Sequence, residues 1–186
     1  MKAWKIAVIS LFLMAVLATP ALAVDLTNRI SMGYNHQLSY GIVGGDDAIS
    51  SAFLANQSFS CKYWATREIG IEGILGFMSA EYEDVGGWGM TLGGKFHYNV
   101  IMEQQMNVYT GGGLALLPVT TDDGEDKDSN VGFLVMAFAG TEFFLPGLPN
   151  LAFDMELGLQ YLDYDEYRQF GTYSGGFGML GIRYYF

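Results

Sequence analysis

Nine ionisable side chains stand at positions where their chemistry depends on what the chain builds around them: Arg29, Lys62, Glu72, Lys95, His97, Glu142, Asp154, Glu156 and Arg183. Several sit inside apolar alternations. Asp154 and Glu156 interleave with Phe153, Met155, Leu157 and Leu159, and Arg183 lies between Ile182 and Tyr184. Brought together, such a set forms an ion network able to close a passage. The same set could relay protons or ions, with His97 as the member that titrates near neutrality. An isolated ion in a low-dielectric interior costs several kcal/mol, so the acids and bases are expected to pair in one layer.

Two other chemistries are open to inspection. Only His36 and His97 exist, so a serine–histidine hydrolase would have to use one of them. His36 has Ser31 and Ser39 on its own segment, but neither shares its face in an alternating strand. The run Thr121 to Asn130 clusters carboxylates as hard cations require, yet it lacks the spacing of an EF-hand loop, and it reads as a solvated acidic loop. No metal or cofactor motif is found.

The elements that would position the ionisable groups follow from a period of two. Ile69, Ile71, Gly73, Leu75 and Phe77 oppose Gly70, Glu72, Ile74, Gly76 and Met78. Trp88, Met90, Leu92, Gly94, Phe96 and Tyr98 oppose Gly89, Thr91, Gly93, Lys95 and His97. The chain ends with Leu180, Ile182, Tyr184 and Phe186 on one side of a strand. Eight such segments are expected, at roughly 28–39, 51–64, 68–80, 87–99, 104–117, 131–145, 150–162 and 173–186, the second alternating only weakly. Each is long enough to cross a bilayer at the usual tilt, which takes ~9–11 residues.

The connections alternate in length. Residues 65–67, 100–103 and 146–149 are tight, whereas 41–50, 81–86, 119–130 and 163–172 are longer and mostly acidic. This is the asymmetry of a barrel with short turns on one side of a membrane and larger loops on the other.

Ahead of these segments, Lys2 and Lys5 precede an apolar run to Leu17, then Thr19-Pro20 and Ala21-Leu22-Ala23. The pattern predicts a signal peptide over residues 1–23 and a single barrel domain over 24–186. The net charge of −11 excludes a nucleic-acid partner, because phosphate recognition needs basic clusters. The single cysteine, Cys61, excludes an intramolecular disulfide. Past residue 23 no apolar run reaches the ~18 residues of a membrane helix. Only a closed barrel would satisfy the backbone of membrane-spanning strands.

On these features the chain resembles the small eight-stranded outer-membrane barrels of the OmpA/OmpX type. The resemblance is carried by the leader, the loop alternation, Gly140-Thr141-Glu142-Phe143-Phe144 before a Pro-rich turn, and the aromatic end of the last strand. It implies an all-β, eight-stranded antiparallel up-and-down transmembrane barrel, monomeric, in the outer membrane of a Gram-negative bacterium. It implies lipid and lipopolysaccharide as neighbours. Leu180, Ile182, Tyr184 and Phe186 resemble the signal read by the barrel-assembly machinery.

An eight-stranded barrel is just wide enough for its interior to be filled by side chains. The inward ions are therefore expected to form a plug near the short-turn end. Above it Leu134, Met136, Phe138, Phe177 and Met179 point inward, either filling the space or lining a pocket for a small apolar ligand. The expected role is that of a structural or surface membrane protein, with a narrow channel or sensor as the alternative and a lipid A-modifying enzyme as a lesser one. A soluble carrier would need the apolar face turned inward, and the six large apolar residues of the 150–162 segment would overfill so small an interior.

Overall fold

The computed structural model describes residues 24–38, 57–82, 85–122, 127–165, 167–172 and 178–186. The expected leader, residues 1–23, lies outside them. So do the loop at 41–50, the first part of the second segment, Ser39 and Phe177.

The described chain is all strand and turn: β1 Ile30–Leu38, β2 Ser58–Trp64, β3 Ile69–Tyr82, β4 Val85–Met102, β5 Met106–Asp122, β6 Lys127–Phe144, β7 Leu151–Tyr164, β8 Tyr167–Thr172 and β9 Gly178–Tyr185. Every pairing is antiparallel. Each strand from β1 to β7 pairs with the next, and β9 pairs with both β1 and β7, which closes the ring. Because β8 and β9 follow one another along the same edge of β7, nine segments occupy eight positions. The molecule is a closed eight-stranded antiparallel barrel.

The period of two sorts the side chains. On β7, Leu157 and Leu159 are about half exposed, whereas Asp154, Glu156 and Gln160 are buried. On β2 the inward set is Ser58, Ser60, Lys62 and Trp64, with Phe59 and Cys61 outside. The outer wall of this barrel is thus apolar while its ionised side chains lie within.

The tight turns carry their own chemistry. The Thr66 hydroxyl accepts from the Glu68 and Ile69 amides at 3.2 and 3.0 Å, folding residues 65–68. Gly147, at φ 82°, supplies the left-handed residue of the turn between β6 and β7.

Three of the four long connections are shorter than the sequence led us to expect. Residues 119–122 pair with 127–130, β3 and β4 run on to Tyr82 and Val85, and most of 163–172 is strand. The expectation followed apolar alternation, which ends before the strands do. Backbone pairing does not, and polar pairs continue it: the Thr120 and Ser129 hydroxyls lie 3.0 Å apart, and Arg168 sits 3.2 Å from Asp163.

Candidate functional site: the lumen charge layer

Inside the ring three layers stack. At the short-turn end Trp64, Phe144, Ala152 and Tyr185 pack around Leu26, which precedes β1 and enters the mouth. Toward the loops Ala115, Leu117, Leu134, Met136, Phe138, Leu162 and Met179 form a second apolar cluster with Tyr109. Between them lie Lys62, Glu72, Lys95, His97, Glu142, Asp154, Glu156 and Arg183, none more than 5% exposed.

Their positions follow from register. Lys62 pairs across the sheet with Glu72, Glu72 with Lys95, and Glu142 with Asp154, so five strands deliver these charges to one level. Arg183 from β9 is the hub: its Nε donates to Asp154 at 2.9 Å, Nη2 to Glu72 at 2.8 Å and Nη1 to Ser31 at 3.3 Å. Lys95 donates to Glu156 at 2.6 Å, and the Tyr109 hydroxyl donates to the other oxygen of that carboxylate at 3.0 Å. His97 Nε2 lies 2.9 Å from Glu72. Lys62 is held more loosely, 3.6 Å from Glu142 and 4.0 Å from Glu72, with its ammonium 4.8 Å from the centre of the Tyr109 ring.

Of the ionisable residues singled out in the sequence, Arg29 is the one the structure sets apart. It sits half-buried at the short-turn mouth, donating to Asn150 at 2.8 Å with its guanidinium 5.3 Å from the centre of the Tyr185 ring. It lies ahead of Ile30, the first residue of β1, so no strand carries it up into the layer.

Three further members carry no charge, so charge does not mark them in the sequence. Asn35 donates to Ser60 at 3.0 Å and to Glu72 at 3.3 Å. Tyr185 donates to Glu142 at 2.6 Å and accepts from Trp64 at 3.0 Å. Parity would have found two of them, since Trp64 and Tyr185 each stand two residues beyond an inward base.

The apolar side chains above the layer pack on one another: Leu134, Met136, Phe138 and Met179 are 4 to 8% exposed. A concavity of about 430 Å³ lies instead on the outer wall, between Met32, Phe59, Leu75 and Leu92, where Cys61 and Gly73 leave room.

Glu72, His97 and Glu156 bring three ligand atoms within 4.8 Å of one another. The set does not suit a divalent cation. Arg183 and Lys95 already stand 2.8 and 2.6 Å from its carboxylates, and a metal would have to displace or face them. Ser31 is buried against Arg183 whereas His36 points outward, so β1 holds the two on opposite sides of the wall. In the acidic run, residues 123–126 lie outside those described. Asp128 accepts from the Ser129 amide at 2.8 Å and from Asn130 at 3.2 Å.

Ahead of β1, Asp25 accepts a bond from the Thr27 amide at 3.0 Å; the Thr27 side chain first, and then this amide, holds its carboxyl below the ordinary range. Asp25 also lies 3.9 Å from Arg67, beside the mouth that Leu26 fills.

Comparison with known proteins places the architecture. No protein-family model matches the chain, and no curated protein sequence does. Solved structures do. The N-terminal β-barrel domain of Pseudomonas aeruginosa OprF superposes with a TM-score of 0.54 at 16% identity, over 86% of this chain and 98% of that one. Neisserial surface protein A gives 0.54 at 13% identity, over 85% and 96%. Ail, the attachment invasion locus protein of Yersinia pestis, gives 0.50 at 16% identity, over 86% and 99%. With its closed ring, apolar outer wall and ionised interior, this chain has the fold of the small eight-stranded outer-membrane β-barrels.

Proposed function

We propose that the chain is an integral outer-membrane protein with a structural and surface role, its lumen closed by side chains and its acidic loops presented outside to lipopolysaccharide or partner molecules. The observation that carries this reading is the layering of the interior. Buried ions are enclosed between an apolar cluster at the short-turn mouth and another toward the loops. A water-filled pore needs a continuous polar wall, and neither apolar layer supplies one.

The outer wall supports the membrane placement. Residues such as Phe59, Phe77, Leu92 and Leu157 are 54 to 68% exposed, and hydrocarbon is the solvent in which such a surface is stable. Leu180, Ile182, Tyr184 and Phe186 all face outward on the last strand, as a signal for the assembly machinery would require, with the two aromatics suited to the membrane interface.

Planar-bilayer recording from refolded protein tests the closed lumen. We expect no unitary currents. Reproducible single-channel steps would replace the filled barrel with a narrow conducting one.

A further inference from the structure

The charge layer does not balance. Among the described residues its cations are Lys62, Lys95 and Arg183, and its carboxyls are Glu72, Glu142, Asp154 and Glu156. The other polar groups beside it are neutral, among them Ser31 and Asn35 from β1, Ser60 from β2, Asn107, opposite Glu142, and Tyr109 from β5, and Tyr185 from β9. Arg29 is engaged at the mouth with Asn150. Four carboxyls thus meet three fixed cations, and an uncompensated charge in such an interior costs several kcal/mol. A proton is the compensation the layer itself can hold, on His97 or on a carboxyl.

His97 is a poor place for it. An imidazolium donates from both nitrogens, yet Nδ1 is buried without a hydrogen-bond partner, while Nε2 alone meets an acceptor, Glu72. The ring also packs on Tyr109 and Phe138, with centroids 5.0 and 5.2 Å away. The geometry suits the neutral tautomer donating from Nε2.

Among the carboxyls, Glu156 has Lys95, and Glu72 has Arg183, His97 and Asn35, all at hydrogen-bond distance. Glu142 and Asp154 are directly opposed on β6 and β7; Asp154 takes Arg183 Nε at 2.9 Å, whereas the cations nearest Glu142, Arg183 Nε and Lys62 Nζ, stand at 3.5 and 3.6 Å, and its hydrogen bond comes from the neutral Tyr185 hydroxyl at 2.6 Å. Each has one buried oxygen with no donor, Oε2 of Glu142 and Oδ1 of Asp154, on residues that stand side by side across the two strands. Two ionised carboxylates side by side in a buried interior repel. One acid and one carboxylate bond.

We propose that Glu142 and Asp154 form a proton-binding pair, with Glu142 as the acid donating to the Asp154 carboxylate, and that this single proton neutralises the lumen. The site rests on the closed-lumen reading. Loss of the proton in alkaline solution restores the excess negative charge inside the ring.

Infrared spectroscopy of the full chain refolded in lipid vesicles at neutral pH tests the site. Wild-type protein should show the carbonyl stretch of a buried protonated carboxylic acid, and the band should vanish on alkalinisation. Glu142→Gln and Asp154→Asn should each abolish it, because each leaves three carboxyls against three cations, and Glu68→Gln in an exposed turn should not. If Glu142→Gln does not fold, Asp154→Asn and the alkaline loss of the wild-type band carry the same test. A folded wild type without the band, a band surviving both substitutions, or nitrogen-15 shifts showing His97 doubly protonated would overturn the pair. Conductance on the same preparation separates the two readings: absence of the band without currents removes the proton site alone, whereas unitary currents remove the closed lumen.

Discussion

At the scale of single residues, the stability of the interior depends on completeness more than on the number of ion pairs. Lys95 and Glu156 meet at 2.6 Å where neither is more than 5% exposed. Each has lost its hydration, and the partner replaces it. Lys95→Met should therefore cost about 3–5 kcal/mol, because it strands a buried carboxylate. Adding Glu156→Gln should recover most of that loss, since the side-chain amide would still accept from Tyr109 and no charge would remain alone. Urea-induced unfolding of the single and double variants in vesicles measures both. Equal losses in the two would show that the pair adds no coupling beyond its packing.

At the scale of the strand, the glycines separate into those that the ring requires and those it merely contains. Gly111 faces inward on β5, and a Cβ there would collide with the Phe96 carbonyl oxygen and stand 2.7 Å from the Phe138 ring. Gly73 faces outward, and a Cβ would meet nothing within 4 Å. Gly111→Ala should destabilise by about 1–3 kcal/mol through overpacking, whereas Gly73→Ala should leave the urea midpoint unchanged. The two substitutions add the same methyl group, so a difference between them reports the wall's packing alone.

At the scale of the whole molecule, the barrel turns its greasy face outward and its ions inward. Leu159 is 49% exposed and its neighbour Gln160 is 6% exposed, one residue apart on β7. In a Cys61→Ala background, a spin label at Leu159→Cys should respond to a quencher dissolved in lipid, and one at Gln160→Cys should not. Reversal of the two would turn the barrel inside out and remove the outer-membrane reading with it.

How much of this was legible beforehand follows from the period of the strand. Alternation with a period of two, together with the short connections at 65–67, 100–103 and 146–149, determined an eight-stranded antiparallel ring and which side chains share a face, because neighbouring residues in a strand must point in opposite directions. It could not place Arg29, which lies ahead of the first strand, nor see that β5 and β6 continue past the apolar belt. Only the closed ring decided that Arg183 reaches Glu72 as well as Asp154, and that Lys95 meets Glu156 across the lumen. Those contacts join residues on strands that are not neighbours, and their distances are fixed by register and closure, which no single segment contains.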